Sequence, residues 1–179
     1  MDSKHILVHV CCAPCATSSI ENLLEAGYEV TLFYSNSNIF PEEEYRRRLG
    51  FVHWLGDKSG IDVIEDSYNH LSWLKAIKGL ENEPEKGKRC IKCFDYNLKQ
   101  TAVISHKLRI PYFTTTLTLS PHKISKYIFE VGKKYPGYIS FDFKKGDGIK
   151  RSHLLCKEYD IYRQNYCGCE FSLEQRHKK

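Results

Sequence analysis

An apolar run, Ile6-Leu7-Val8 and then Val10, stops at Cys11-Cys12-Ala13-Pro14-Cys15. Interrupted only by His9, it reads as a strand buried on both faces, as in a parallel sheet. Pro14 suits the first turn of a helix, because its fixed φ fits there and its missing N–H would find no partner in any case. The chain is thus committed early to a strand–helix unit. Open α/β sheets build their sites at the carboxyl edge of such strands. At that edge this chain places three soft, reactive thiols, for which packing has little use and a metal site has much.

The rest of the chain continues the alternation. Lys4–Val10 predicts the first strand. Ala16–Ala26 has helical spacing through Ile20, Leu23 and Leu24, with Gly27 as its C-cap. Glu29–Tyr34 predicts a second strand and Ser35–Phe40 a polar loop. Pro41 opens a helix whose acids (Glu42–Glu44) precede its bases (Arg46–Arg48), the order that the helix dipole favours, and Gly60 ends it. A short strand at Asp62–Glu65, a helix at Leu71–Ile77 and a polar loop at Glu81–Arg89 follow. Cys90–Leu108 is helical in spacing, Tyr112–Thr116 is a β-branched and aromatic strand, and Lys123–Tyr135 is a further helix. Pro136–Lys150 reads as irregular, with one strand at Tyr138–Phe143. Strands alternating with helices predict a Rossmann-like (HUP-type) α/β fold, a mostly parallel sheet flanked by helices. Residues 1–179 are expected to form a single domain, with 151–179 a C-terminal extension returning Cys167 and Cys169 to the site.

Eight cysteines are present, clustered at 11/12/15, 90/93 and 167/169, with Cys156 alone. The opening residues do not read as an export signal, so the clusters point to metal or redox chemistry rather than disulfide staples, and to the cytoplasm. No apolar stretch reaches the roughly 18–20 residues that span a bilayer, so no membrane partner is expected. The formal net charge is +5, concentrated at Arg46–Arg48, Lys133–Lys134, Lys144–Arg151 and Arg176–Lys179. Such patches suit a phosphate backbone, or simply a solvated surface. The GxGxxG and Walker A phosphate loops are absent, the first loop being cysteine and proline instead.

Cys90-Ile91-Lys92-Cys93 is a CxxC at a helix start, where thiolates form readily. Taken with Cys11 and Cys12 it makes four thiolates from two segments, suiting a zinc ion or a [4Fe–4S] cluster. Adjacent cysteines fit separate iron corners of a cubane more easily than one tetrahedral ion. Cys167-Gly168-Cys169 would close a small strained disulfide ring, the profile of a labile couple, and would also serve as further metal ligands. Cys15, about one turn past Cys12, is a candidate ligand or a packing residue. Cys156, beside Leu154 and Leu155, reads as a buried structural thiol. His9 reads as a packing or hydrogen-bonding residue rather than a ligand.

Three motifs together, His-Val-Cys-Cys-Ala-Pro-Cys at 9–15, Arg-Cys-x-x-Cys-Phe at 89–94 and Tyr-x-Gln-x-Tyr-Cys-Gly-Cys at 162–169, resemble the epoxyqueuosine reductase QueH family across essentially the whole chain. The resemblance implies two-electron reduction of epoxyqueuosine to queuosine in tRNA, the substrates being tRNAs with a G-U-N anticodon. It implies a [4Fe–4S] cluster on Cys11, Cys12, Cys90 and Cys93, and a redox-active pair at Cys167 and Cys169. A second iron or other metal ion near Cys15 is a candidate Lewis acid. An external electron donor, which the sequence does not identify, must feed the site. Anticodon-loop bases stack on aromatics, and of Tyr45, Phe94, Tyr96, Tyr162 and Tyr166, the best candidates for lining the site are Tyr162 and Tyr166. Arg46–Arg48 and the basic C-terminus are candidates to grip phosphates. Two other classes of function compete: a zinc-stapled RNA-binding module and a metal-free thiol–disulfide oxidoreductase.

Overall fold

The computed structural model describes residues 4–177. Four parallel strands, β1 (His5–His9), β2 (Glu29–Tyr34), β3 (Val63–Glu65) and β4 (Tyr112–Thr115), form one sheet in the order β3-β2-β1-β4. Among the described residues seven α-helices flank it: α1 (Ala13–Glu25), α2 (Glu42–Ser59), α3 (His70–Ala76), α4 (Lys88–Lys107), α5 (Ser125–Gly132), α6 (Gly148–Glu158) and α7 (Glu170–His177). The fold is α/β with an all-parallel sheet, as the alternation predicts.

Side chains of β1 alternate between two cores. Ile6, Val8 and Val10 face α1, α2 and α6, joining Ala16, Ile20, Val52, Leu55 and Cys156. Leu7 faces the opposite layer, with Phe94 and Leu98 of α4 and Ile128 and Val131 of α5. All these residues are buried, and each large apolar side chain buried in this way contributes about 1.5–3 kcal/mol. The sheet runs outward from β1 to β2 and β3, then restarts on the other side of β1 with β4. The reversal leaves a crevice beyond the carboxyl ends of β1 and β4, where open sheets bind ligands. Cys11 sits there, its backbone N–H donating to Thr116 Oγ1 just past β4, at 3.3 Å.

Three expectations need correction. Tyr138–Phe143 does not form a strand: it makes one parallel bridge, Tyr138 to Phe113, through Phe113 N to Gly137 O and Ile139 N to Phe113 O, each 2.9 Å. Gly137, at φ +84, turns the chain, and Phe141 and Phe143 then stack on each other. The stretch from Gly148, by contrast, is helical. Gly148, Ser152, Leu155 and Cys156 form its buried stripe, and a Cβ at Gly148 would collide with the Phe143 carbonyl. Small residues let α6 lie close on α1, where Ser18 Oγ donates to Gly148 O at 3.0 Å and Ser152 Oγ to Pro14 O at 2.7 Å. The helix expected over Lys123–Tyr135 is shorter, ending at Gly132, where a Cβ would strike the Tyr138 ring.

Candidate thiol and metal centre

The first thiol group is built by local geometry. Cys11 extends β1, Cys12 is the extended N-cap of α1, and Cys15 lies one turn into that helix. Their Sγ atoms lie within 4.8 Å of one another, and Cys11 and Cys12 are 3.7 Å apart. Cys12 is the natural thiolate of the three. Contacts from the Cys11 and Cys15 thiols, helped by the charge of Arg48, hold its pKa well down, while the same contacts push Cys15 up. Gln164 Nε2 donates to Cys12 Sγ at 2.9 Å, so the C-terminal segment directly touches the ledge that Cys11, Cys12 and Cys15 form after β1.

The second group is assembled from distant pieces. Cys90 and Cys93 stand one turn apart at the start of α4, where Lys86 N donates to Cys90 Sγ at 3.3 Å. Burial pushes both thiols up, Cys93 strongly. Cys93 packs with Trp73, Tyr96, Phe171 and Cys169. Cys169 is buried and its pKa is pushed up to about 11, by burial first and then by the Cys167 charge. Cys167 is exposed, and none of the eight cysteines is in a disulfide.

The segment carrying Cys167 lies outside helices and strands and is fastened from outside. Buried Arg48 donates from Nε to Glu44 Oε1 (2.7 Å) and from Nη1 to Cys167 O (2.9 Å). Phe40 N donates to Gly168 O at 2.8 Å, and Tyr166 OH to Phe40 O at 2.6 Å. Gly168 has φ +148, and a Cβ there would press on Ile39 at 3.1 Å and Arg48 at 3.3 Å. That backbone leaves room for glycine alone.

A cavity of about 540 Å³ joins the two groups, with Cys15, Cys90, Cys167 and Cys169 in its wall together with Lys123 and Tyr166. Lys123 stays firmly protonated: burial opposes its charge, but the thiols of Cys167, Cys11, Cys15 and Cys12 outweigh burial. Nothing in the sequence distinguishes this lysine, because its position depends on where the loop before α5 meets the sheet edge.

Several candidate residues lie elsewhere. Tyr162 is not on the cavity wall; its hydroxyl donates to the Glu44 carboxylate at 3.1 Å and Arg47 covers its ring at 3.6 Å. Arg48 is buried in its ion pair and so is not a free phosphate grip, whereas Arg46 is exposed on the surface in an i,i+4 pair with Glu42. Arg176 lines the cavity, whereas Lys178 and Lys179 lie outside the described residues. Tyr45 packs at a tilt against the rings of Tyr34 and Tyr68, Tyr96 packs near Trp73, and Phe94 is a core residue touching the cavity. Cys156 is in the core. His9 is buried, its Nδ1 bonded to Thr115 Oγ1 at 2.8 Å and its Nε2 to Ser35 O at 3.1 Å. Facing a carbonyl, Nε2 is the donor, and burial keeps the ring neutral.

The tight group of three among the described residues is Cys11, Cys12 and Cys15, and Cys90 and Cys93 stand outside it. An all-thiol donor set suits zinc and iron–sulfur groups alike. Around Cys90 and Cys93, Arg89 Nε and Nη2 are buried without acceptors and Trp73 Nε1 has no partner of good geometry beyond the Cys93 thiol it bears on, a setting that an anionic metal–sulfur group would complete. The residues present therefore fit a thiolate-bound metal.

The sequence model of a family described as epoxyqueuosine reductase QueH matches residues 6–175. A protein of Streptococcus pyogenes serotype M1, named epoxyqueuosine reductase QueH, is 43% identical over 182 residues, covering 96% of this chain and 71% of the relative. Proteins of the same name from Staphylococcus aureus (39% identical, covering 96% and 76%) and Thermotoga maritima (36%, covering 97% and 93%) are likewise similar.

Proposed function

The chain belongs to the epoxyqueuosine reductase QueH family, and from that premise we propose that it reduces epoxyqueuosine in tRNA to queuosine with an iron–sulfur cluster. The observation that carries this reading is the meeting of both cysteine groups at one cavity beyond the sheet edge. Binding an RNA base needs no such concentration of thiols, whereas reductive chemistry does.

Converting the epoxide to an alkene consumes two electrons and two protons and releases water. Oxidation of the Cys167 and Cys169 thiols to a disulfide releases two electrons and two protons, so the pair balances one turnover. An external reductant, unidentified, then restores the dithiol. Cys11, Cys12, Cys90 and Cys93 would hold the [4Fe–4S] cluster, and Cys15 would be the additional ligand, for a second metal ion. When bound, the cluster would relay the dithiol's electrons one at a time, and a second metal ion near Cys15 would supply Lewis-acid chemistry. The Lys123 ammonium offsets thiolate charge. Tyr166 offers its ring to the flipped base, while Tyr162 braces Glu44 behind it. Arg163 and Arg176 at the cavity wall offer charge to the backbone of a tRNA with a G-U-N anticodon. Among the described residues no helix is long and apolar enough to cross a membrane, and the proposed setting is the cytoplasm.

Anaerobic quantification of iron, sulfide and zinc, paired with turnover of epoxyqueuosine-containing tRNA, tests the reading. About four irons and four sulfides per chain with conversion to queuosine are expected. Stoichiometric zinc without turnover would instead identify a zinc-stapled RNA-binding module, and turnover without metal a thiol–disulfide oxidoreductase.

A further inference from the structure

Two buried side chains beside the second cysteine pair carry donors with no acceptor of good geometry. Arg89 is 1% exposed. Its Nη1 donates to the carbonyls of Glu81 (2.8 Å) and Glu83, and its guanidinium lies 4.7 Å from the centre of the Phe171 ring. Nε and Nη2 have no partner, and among the described residues no carboxylate pairs with this cation. Trp73 is fully buried; its Nε1 makes no hydrogen bond of good geometry, and its indole bears on the Cys93 thiol, whose charged form it favours. Trp73 packs in one cluster with Cys93, Cys169 and Phe171, while Arg89 adjoins Cys90 in the chain and lies on the same Phe171.

An unmade hydrogen bond from a buried donor costs about 1–3 kcal/mol, and more when the donor is charged. Three such donors around two cysteines indicate a shared acceptor. It must be anionic, to match a buried guanidinium. It must reach nitrogens that are themselves closed to solvent, on an Arg89 that borders the cavity beside Cys90. It must also suit an indole N–H, which only donates. Metal-bound thiolate and sulfide sulfurs meet all three conditions.

We propose that Arg89 and Trp73 are hydrogen-bond donors to the sulfurs of the metal group held at Cys90 and Cys93, and that they set its reduction equilibrium. The inference rests on the iron–sulfur reading above. Donors to the sulfurs stabilise the more negative, reduced state, so their loss makes reduction harder. Both are positioning residues: neither needs to touch the substrate.

The test uses the full chain, loaded anaerobically, as wild type, Arg89→Gln, Arg89→Lys and Trp73→Phe. Iron and sulfide are quantified, and each protein is titrated with reductant while visible absorbance is followed. All four are expected to keep iron. The reduced-to-oxidised ratio at a fixed potential should fall about tenfold in Arg89→Gln (about 59 mV for one electron) and roughly threefold in Trp73→Phe, with Arg89→Lys between wild type and Arg89→Gln. Iron-loaded variants that titrate with wild type overturn the inference. If Arg89→Gln does not fold, by circular dichroism, Trp73→Phe decides on the same criterion. Wild type that takes up zinc and no iron overturns both the cluster reading and this inference, and that result is read before any variant is made.

Discussion

Cys11, Cys12 and Cys15 come together within five residues of chain, whereas Cys90, Cys93, Cys167 and Cys169 come from two segments more than 70 residues apart. The first group needs only a strand end and one helical turn to bring its sulfurs within 4.8 Å. The second needs α4, the packing of Trp73 and Phe171, and the Arg48 fork that holds the carbonyls of Tyr166 and Cys167. A site made by local geometry survives loss of distant contacts, while a site made by tertiary contacts can be loosened from afar. The two groups should therefore fail in different ways.

The largest effect is expected at Cys11, Cys12 and Cys15, the cysteine ledge after β1. Cys12→Ser removes a ligand at the most thiolate-prone position, and iron content and turnover should both fall by more than about a hundredfold, beyond the effect of losing a supporting partner. Retention of iron in that variant would contradict the ledge as a metal site. Cys167→Ser should abolish turnover while leaving iron content and cluster absorbance as in wild type, separating the dithiol from the metal. Normal turnover in this variant would remove the dithiol role. Arg48→Ala strands the Glu44 carboxylate and frees the Cys167 backbone. It should destabilise the fold by about 3–5 kcal/mol, as for other broken buried ion pairs, and speed alkylation of Cys167. Alkylation at the wild-type rate would show that the fork does not hold this segment. The smallest effect is expected at Cys156→Ala, a core position away from both groups: about 1 kcal/mol in urea unfolding and unaltered iron content. A fall in iron there would make Cys156 part of the metal site.

The ledge was legible because adjacent cysteines at a strand end leave little freedom: β1 fixes Cys11, and Pro14 starts the helix that carries Cys12 and Cys15. The CxxC at the start of α4 was legible for the same reason. Arg48 was not. In the sequence it is one base in a run of three, and its burial follows from facing inward on α2 under the 162–168 segment. Tyr162 and Tyr166 are alike in the motif, yet only Tyr166 lines the cavity, because Glu44 and Arg47 draw Tyr162 onto α2. The helix from Gly148 carried a readable stripe of small and apolar residues, hidden by the glycines and lysines around its start. The strand expected over Tyr138–Phe143 had the right composition, but after one bridge the chain leaves the sheet edge and Phe143 enters the core beside α6.

The sequence by itself determined the alternating α/β architecture, the parallel sheet and which residues are thiols at element ends, since these depend on periodicity and on residues a few positions apart. The packing of the layers set the rest: the restart of the sheet at β4 opens the crevice beside Cys11, Lys123 is held among thiols, and Arg89 and Trp73 carry buried donors beside Cys90 and Cys93. Those facts depend on pairs of residues far apart in the chain, whose meeting is set by how the layers pack rather than by any local pattern.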